Sequence, residues 1–437
     1  MAAAATVVAV AVTLVAVRNP PGAARKASAV PAGSRSAGPA ATSAPVDPAA
    51  LPGYFVALNG FAAMVPLSPG QSSTSVKNPS PDSVIVGETL TGKRLAINSP
   101  PAGSTFVGVT GAADDRTFVL DSVKIAEARG GLLWAFQQRT WYLLRIRPGA
   151  TPVQTLTTLH FPLPNAADVN GVALSPDGTK LAVLYQVAGT GAGFPYNGLF
   201  TLGVYSVATG AVLRSWTGDD PHHGSYGYGS DGLPDPNVNV TWTSDGQRLA
   251  FAYRNSRGAS ASLYLREVKL ADPGGNLFTD AAVVATIGVS TTTGQSKIWC
   301  DSLGITGDGR SAICGADLPK APPAGATLDA LTDPWRGCAV PTDLAYPGLA
   351  EISLAGDRLT QVLYAVKPTC AGYSYASILW SSPSGGTVLS TVSYTYDPSA
   401  DASATVRSAI VLYRHGTVTT LNWPGAASTL RANETAF

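Results

Sequence analysis

The segment Leu174-Ser175-Pro176-Asp177-Gly178-Thr179-Lys180-Leu181 is a hairpin turn flanked by apolar strands, and it decides the fold because it recurs along the chain. In such a turn the Asp or Ser side chain accepts backbone hydrogen bonds, and Gly supplies the left-handed residue that closes the loop. The copies lie about 60 to 76 residues apart, a spacing that indicates a repeat architecture built from β-hairpins. The copies are 243–249 (TSDGQRL), 306–310 (TGDGR), 382–386 (SPSGG) and, in degraded form, 113–116 (ADDR).

A second class of hairpin alternates with the first and predicts the outer strands of the same repeats. Its flanks alternate between apolar and polar residues, as in 142–147 (YLLRIR), which suits strands with one face partly in water. The strands that follow the first class, such as 181–184 and 249–252, are apolar on both faces, which suits strands packed between neighbouring sheets. The turns of the second class are Thr91-Gly92, Pro148-Gly149, Thr209-Gly210, Pro273-Gly274-Gly275, Ala355-Gly356 and His415-Gly416.

The number of hairpins predicts the number of blades. Six outer hairpins alternate with only five inner ones. A sixth inner hairpin forms if 54–58 (YFVAL) is its second strand and the residues after Ala426 supply its first, which closes the ring without exposed edges. We therefore expect an all-β fold with a single six-bladed β-propeller of four-stranded antiparallel blades, closed by N- and C-terminal strands. The alternative is a ring of seven blades.

The composition provides for a large buried core and argues against nucleic-acid binding. Apolar residues make up 45% and charged residues 13% of the 437 residues, and the net charge is +1. Lys and Arg form no run longer than a dipeptide such as Arg25-Lys26, whereas nucleic-acid binding requires that several phosphates be neutralised together. We expect no nucleic-acid partner.

The N-terminal residues 1–17 form an apolar run that is predicted to lie in the cell membrane. The run is shorter than the roughly 20 residues of a usual span, and no basic residue precedes it. The hypothesis is a single-pass anchor whose true start lies upstream of Met1; the alternative is an apolar leader of no consequence. Residues 18–50, rich in Pro, Ala, Ser and Gly, are predicted to be a disordered linker, and 51–437 the propeller.

The four cysteines allow three pairings and bear on the compartment. Cys300 and Cys314 lie on the two strands of one inner hairpin, while Cys338 lies in a long insertion and Cys370 in the loop before the next blade. We predict Cys300–Cys314 and Cys338–Cys370 disulfides, with free buried thiols as the alternative. Zinc is not expected, since the chain has no C-x-x-C and only four His. The disulfides favour the extracytoplasmic side, although the positive charges after the apolar run favour the cytoplasmic side.

Two long loops, 218–236 and 316–348, carry candidate contact residues. The first (GDDPHHGSYGYGSDGLPDP) is either a metal or polyol contact loop, since long ordered loops often bind ligands, or a solvated Gly/Tyr-rich insertion. Adjacent histidines lack the spacing of a metal site on a regular element. The candidate contact residues are His222, His223, Tyr226 and Tyr228 in the first loop and Trp335 in the second.

Asp and Asn residues occur where three of the innermost strands begin, and there they are predicted to face the axial channel. Oxygen donors that converge on the axis suit a hard cation such as calcium. The alternative is that Asn and Asp are simply common where a loop becomes a strand, and no Glu joins the set. We predict no cofactor, with calcium as the alternative, and no catalytic residue. The axial candidates are Asp168, Asn170, Asn237, Asn239 and Asp301.

The pattern S-P-D-G-x-x-L-A at 175–182, with its copies, resembles that of WD-repeat and TolB-like β-propellers over most of 54–422. The chain departs from true WD repeats because its blades lack the Gly-His and Trp-Asp dipeptides. It is also similar to membrane-anchored propeller proteins of high-GC Gram-positive bacteria, through 54–57 (YFVA) and 112–118 (AADDRTF). The resemblance implies an extracytoplasmic propeller and brings no catalytic residues with it.

These features together predict a membrane-tethered, extracytoplasmic propeller that acts as a non-catalytic binding module. Its partner would be a protein, a glycan or an envelope component, with aromatic residues of the long loops as anchors. Two alternatives stay open. One is a lactonase-like propeller hydrolase with an axial calcium site, and the other is an assembly partner similar to the TolB group. A binding role is favoured over an enzymatic one.

Overall fold

The computed structural model places each repeated turn between the innermost strand of a blade and its second strand, as predicted. The chain divides into two units, 1–46 and 47–437, and every described residue belongs to the second. The structure describes residues 51–59, 83–125, 137–148, 153–164, 167–188, 196–219, 240–255, 260–290, 297–318, 327–328, 346–355, 358–367, 374–396, 405–421 and 435–437.

The first three blades occupy the N-terminal half of this unit. Blade 1 contains β1 (Tyr54–Asn59), β2 (Ser83–Glu88) and β3 (Arg94–Asn98). Blade 2 contains β4 (Thr105–Gly111), β5 (Thr117–Ile125), β6 (Gln137–Arg147) and β7 (Val153–Leu159). Blade 3 contains β8 (Ala167–Leu174), β9 (Lys180–Ala188), β10 (Tyr196–Ser206) and β11 (Val212–Asp219).

The remaining blades follow in chain order. Blade 4 contains β12 (Val240–Trp242), β13 (Arg248–Asn255), β14 (Ser260–Lys269), α1 (Leu277–Asp280) and β15 (Ala282–Ser290). Blade 5 contains β16 (Lys297–Ile305), β17 (Ser311–Leu318), β18 (Thr327–Leu328), β19 (Tyr346–Ser353) and β20 (Arg358–Val366). Blade 6 contains β21 (Ser374–Ser381), β22 (Thr387–Tyr396), β23 (Thr405–Arg414) and β24 (Thr417–Leu421). The last strand is β25 (Thr435–Ala436).

The sheets confirm the prediction of six four-stranded antiparallel blades, and the seven-blade alternative is wrong. Apart from β18, the strands of each blade pair in chain order from the innermost to the outermost. The exception is blade 1, where β25 takes the innermost place. Blade 5 carries one addition, since β18 pairs in parallel with the outer edge of β20. The predicted closure by the two chain ends is confirmed: in β25, Ala436 lies opposite Val56 and Thr435 opposite Ala57.

Left-handed residues close the repeated turns, as the sequence predicts. The φ angle is 68° at Gly178, 64° at Gly246, 66° at Gly309 and 68° at Gly385. In the degraded copy the same place is taken by Asp115, with φ of 55°. An Asp tolerates this conformation better than most non-glycine residues, which explains how the hairpin survives without its glycine.

Aspartates hold the turns through short hydrogen bonds. The Oδ1 atom of Asp177 accepts hydrogen bonds from the Ser175 hydroxyl at 2.6 Å and from the Thr179 N–H at 3.0 Å. The same pair of bonds recurs at Asp245, with Thr243 and Gln247, and at Asp308, with Thr306 and Arg310. Each bond favours the ionised carboxylate over the protonated acid.

The core consists of apolar seams between neighbouring blades. All four residues of β9 from Leu181 to Leu184 are buried. Leu181 and Val183 pack in the seam with blade 2, whereas Ala182 and Leu184 pack in the seam with blade 4. This arrangement confirms the prediction that second strands are apolar because both of their faces are covered.

One predicted disulfide is confirmed and the other cannot be placed. Cys300 in β16 is bonded to Cys314 in β17, with Cα atoms 4.7 Å apart. Cys338 and Cys370 lie outside the described residues. Within the described ranges, no helix has the length and apolar character needed to cross a membrane; the apolar run 1–17 lies outside those ranges.

We predict that the turn aspartates make stability fall at acid pH. At Asp177 burial raises the pKa, but bonds from Ser175 and Thr179 outweigh it and lower the pKa below the ordinary range. The Thr243 hydroxyl lowers the pKa of Asp245, and the Arg310 N–H lowers that of Asp308. A carboxyl with a lowered pKa stabilises the fold above its ordinary value of about 3.9, and this contribution is lost as the pH falls below that value.

The measurement is denaturant unfolding between pH 7 and pH 2.5 for the wild type and for the D177N/D245N/D308N variant. Asn keeps the Oδ1 acceptor but does not titrate, so the variant should lose less stability than the wild type on acidification. Equal losses in the two proteins would contradict the prediction.

Candidate functional site

The axial channel is lined by strands that are paired on one side only. The innermost strands β25, β4, β8, β12, β16 and β21 each stand at the end of their sheet, so their other edge faces the axis. Such an edge presents N–H and C=O groups that the sheet does not use. We call the mouth where the innermost strands begin the upper mouth, and the mouth with the repeated turns the lower mouth.

Near the lower mouth, neighbouring blades satisfy these edge groups. The Leu174 N–H in β8 donates to the Thr110 hydroxyl oxygen of β4 at 3.0 Å. The indole N–H of Trp242 donates to the Ala173 carbonyl at 2.9 Å. The Ala113 N–H donates to the Pro176 carbonyl at 3.0 Å, which links two of the repeated turns. In the lower part of the channel wall, from blade 2 to blade 4, these edge groups are therefore already used in hydrogen bonds between blades.

Half-way up the channel, β4 and β8 are interrupted at the same level of their ladders. The register shifts between Phe106 and Gly108 in β4 and between Val169 and Gly171 in β8. An extra residue at such a bulge leaves the ladder and re-aims the local side chains. In β8 the extra residue is Asn170, which is half-buried, and its Oδ1 atom is buried without a hydrogen-bond partner.

The residue opposite the β4 bulge is a buried aspartate. Asp121 in β5 lies opposite Gly108, and the corresponding residue opposite Gly171 in blade 3 is Leu184. Asp121 is only 3% exposed, so a charge stands where the neighbouring blade has an apolar core residue. A buried charge is tolerated only when it is paired and hydrogen-bonded.

Arg139 of β6 supplies that pairing, but incompletely. Its Nη1 atom contacts Asp121 Oδ2 in an ion pair whose side chains are 12% and 4% exposed. The second carboxylate oxygen, Oδ1, is buried and accepts no hydrogen bond. Burial raises the pKa of Asp121 above its ordinary value, although the Arg139 guanidinium opposes the shift. The carboxylate thus keeps one unused acceptor.

The strand neighbours of Asp121 are an aromatic residue on one side and a glycine on the other. Trp141 lies opposite Asp121 on the side away from the axis and packs against Phe161 with ring centroids 5.8 Å apart. Toward the axis, Gly108 has no side chain; a Cβ built there would lie 3.6 Å from the Cβ of Asp121. On the next strand toward the axis, Asp121 therefore lies opposite a residue without a side chain. We call Asp121, Arg139, Gly108 and Asn170 the blade 2–3 site.

Of the five axial candidates from the sequence, Asn170 is the one whose side chain the structure describes. Asp168 lies in β8 and Asp301 in β16, but their side chains are outside the described part of the structure, as are Asn237 and Asn239 entirely. Convergence of these oxygens on the axis therefore stays a prediction. Among the residues that the structure describes, no group of three or more His, Cys, Asp or Glu side chains could hold a metal.

The loop candidates cannot be placed and stay predictions. His222, His223, Tyr226, Tyr228 and Trp335 all lie outside the described ranges.

Sequence reasoning missed Asp121 and Arg139. The available signal was one charged residue inside the apolar run 117–123 (TFVLDSV), at a level where the other second strands are apolar.

Comparisons with known proteins show similarity of fold only. A putative dipeptidyl aminopeptidase IV from Bacteroides ovatus is 12% identical over 79% of this chain and 45% of its own length, with a TM-score of 0.36. Hydrazine synthase from Kuenenia stuttgartiensis is 11% identical over 72% and 64%, with a TM-score of 0.35. The β-propeller domain of the Trilobed protease from Pyrococcus furiosus is 10% identical over 73% and 71%, with a TM-score of 0.33.

The chain spans about half of the Bacteroides protein and just under two thirds of hydrazine synthase. No protein-family model matches the chain, and no curated protein matches it. The similarity to a propeller domain agrees with the observed fold, while the resemblance to WD-repeat, TolB-like and Gram-positive membrane-anchored propellers is not confirmed.

The comparisons correct the function predicted from the sequence. Dipeptidyl peptidases and prolyl oligopeptidases recur among the similar structures, and these proteins are enzymes. This finding contradicts the prediction of a non-catalytic binding module. That prediction rested on the absence of a local catalytic motif, which says nothing about groups that come together only in the folded protein or its complexes.

We predict that the Asp121–Arg139 pair reduces stability compared with an apolar pair. The D121A variant leaves the guanidinium buried without its partner and should lose about 3–5 kcal/mol, whereas D121L/R139M should recover most of this loss or exceed the wild type. Denaturant unfolding at pH 7 measures both.

The matched control is the cross-strand pair Arg248–Glu267 of blade 4, which is more exposed, with 3.1 Å between Arg248 Nε and Glu267 Oε1. The E267A variant should lose only about 0–1 kcal/mol. If D121L/R139M were as unstable as D121A, the prediction would be contradicted, because the ion pair would then stabilise the seam more than the apolar pair does.

Proposed function

We propose that this chain acts in peptide hydrolysis, as a propeller that holds the substrate peptide at the blade 2–3 site. The observation that carries the proposal is the Asp121–Arg139 pair, placed at a level where blade 3 has Leu184, with Asp121 Oδ1 left without a donor. A buried polar atom without a partner needs an explanation, and a buried charge with a shifted pKa is a candidate functional group.

The charge balance of the site favours a neutral donor. Arg139 already compensates the charge of Asp121, so an additional cation would meet no net negative charge. An amide N–H supplies a hydrogen-bond donor without charge, and a polypeptide offers one at almost every residue. Asn170 Oδ1 is a second buried acceptor in the adjacent innermost strand. Both unused groups therefore favour the same kind of ligand atom.

The channel wall offers a further means of binding an extended peptide. The inner edges of β4 and β8 have no strand partner within the described residues, and an extended peptide can pair with such an edge through its backbone. Gly108, the β4 residue opposite Asp121, adds no side chain at this level of the edge. The strand edges and Asp121 would thus bind the peptide backbone together.

The proposal gives Asp121 a binding role and assigns no catalytic residue. The membrane anchor at 1–17, the extracytoplasmic location, the protein, glycan or envelope partner and the resemblance to TolB-like propellers are carried as separate proposals from the sequence. None of them is needed for peptide to bind at the blade 2–3 site.

The test is binding of fluorescently labelled hexapeptides to the full chain by anisotropy, with mass spectrometry of the same mixture to detect cleavage. We expect saturable binding by the wild type and a loss of at least about tenfold in D121L/R139M, which removes both charges together. The G108A variant should weaken binding less, since it only adds a methyl group beside Asp121 and keeps both charges.

The matched control is R248M/E267L, which removes a charge pair of the same kind from blade 4 and should bind as the wild type does. Absence of binding by the wild type, or equal affinity of wild type and D121L/R139M, would overturn the proposal.

A further inference from the structure

Two outer sheet edges of the propeller are covered by segments of the chain itself. At the edge of blade 3, the Thr217 N–H donates to the Gly275 carbonyl at 2.8 Å, and Trp216 and Gly275 form a parallel bridge. At the edge of blade 5, β18 pairs with β20. Uncovered edges expose unpaired backbone groups and invite another strand, so covering them has a clear physical purpose.

The outer edge of blade 2 is different. Within the described ranges, β7 pairs with β6 alone. Its sequence VQTLTTL contains no charged residue, no Pro and no Gly, which are the residues that usually protect an edge. Residues 155–158 are all exposed, and Leu156 is 41% exposed. Apart from the hydrogen bond that Asn98 Nδ2 of blade 1 donates to Gln154 Oε1 at 2.6 Å, the described residues leave the outer edge of this strand open for pairing.

The sequence of β7 is symmetric in side-chain chemistry about Leu156. In an antiparallel pair of two such strands centred there, every residue meets one of similar chemistry. Apolar side chains would meet apolar ones and Thr would meet Thr, and such cross-strand pairs stabilise sheets. The pairs are Val153 with Leu159, Gln154 with Thr158, Thr155 with Thr157, and Leu156 with itself.

We propose that β7 is the contact by which two copies of this chain associate, antiparallel and around a twofold axis at Leu156. A twofold contact requires that residue i meets j and j meets i. A strand with a symmetric sequence meets this condition at all of its positions, whereas an unrelated partner strand would have no reason to match it. The symmetric sequence of β7 therefore favours pairing with a second copy of this chain.

Other outer edges fit a second copy less well. Arg94 begins β3, and its charge would face Asn98 across a symmetric pair. In β24 the symmetric pair would place Val418 against Thr420, an apolar residue against a polar one. β15 is uncharged, but its symmetric pair would place Val284 against Gly288, which has no side chain to pack, and its central Thr286 already takes part in an interaction. β7 is the described edge that combines exposure with symmetry.

The contact area sets the expected strength. A single seven-residue strand pair is smaller than the roughly 1,200–2,000 Å² of stable complexes and falls among transient contacts. The association should therefore depend on protein concentration, with monomer at low micromolar and dimer at higher concentration. The dimer places the blade 2–3 sites of both copies in adjoining sheets, yet peptide binding does not require it.

The first test is cysteine cross-linking of the full chain under mild oxidation. In the proposed pair the two Leu156 Cα atoms lie about 4.5–5.5 Å apart, within reach of a disulfide. Leu156→Cys should give a covalent dimer, identified by non-reducing peptide mapping. Thr158→Cys is the matched control on the same strand face; its two copies would be about 14 Å apart and should not cross-link. Equal cross-linking of both variants, or none of Leu156→Cys, overturns the proposal.

The second test is sedimentation velocity over a hundredfold range of concentration. Leu156→Lys should remain monomeric wherever the wild type dimerises, because it brings two positive charges together. Val283→Lys is the matched control, since Val283 on the outer strand β15 is similarly exposed, at 48%, and it should dimerise as the wild type does. A monomeric wild type at all concentrations, or a dimer unaffected by Leu156→Lys, overturns the proposal; so does loss of the dimer in Val283→Lys with retention in Leu156→Lys.

Discussion

Closure of the ring by β25 is the constraint on which the rest of the structure depends. Two residue pairs join β25 to β1, and the rings of Phe55 and Phe437 pack with centroids 6.3 Å apart. Ala436 belongs to the apolar seam between blades 1 and 2, whereas Phe437 belongs to the seam between blades 6 and 1. Two adjacent residues, Ala436 and Phe437, therefore complete two seams.

Ring closure is needed because of the way in which the blades bury their apolar surface. Each blade is covered only by its two neighbours, so an open seam exposes two apolar faces at once. The same dependence holds for the Asp121–Arg139 pair in the next seam, since an ion pair with an unused acceptor needs a rigid surrounding that excludes water. Ring closure is thus a condition for the site and for the fold alike.

The sequence predicts those parts of the structure that depend on local chemistry. The turn at Asp177-Gly178 is recognisable because a left-handed glycine and an Asp acceptor are needed there whatever surrounds them. The closing strand follows from counting hairpins, and the Cys300–Cys314 disulfide from their opposite places about one turn. Asp121 is visible in the sequence only as one charge within an apolar run, because its burial and its ion pair with Arg139 depend on strand pairing that the local pattern does not reveal. The axial oxygens Asn237 and Asn239 lie outside the described residues and stay untested.

The most direct test of the central claim is hydrogen exchange and denaturant unfolding of a chain that lacks residues 435–437, beside the point variant Phe437→Ala. If β25 closes the ring, the deletion should lower the unfolding midpoint and expose the amides of β1 to exchange, while strands of the distant blade 4 keep more of their protection. Phe437→Ala should lose about 3–5 kcal/mol, as expected for a buried aromatic side chain. An unchanged midpoint and unchanged exchange in β1 would contradict closure by β25.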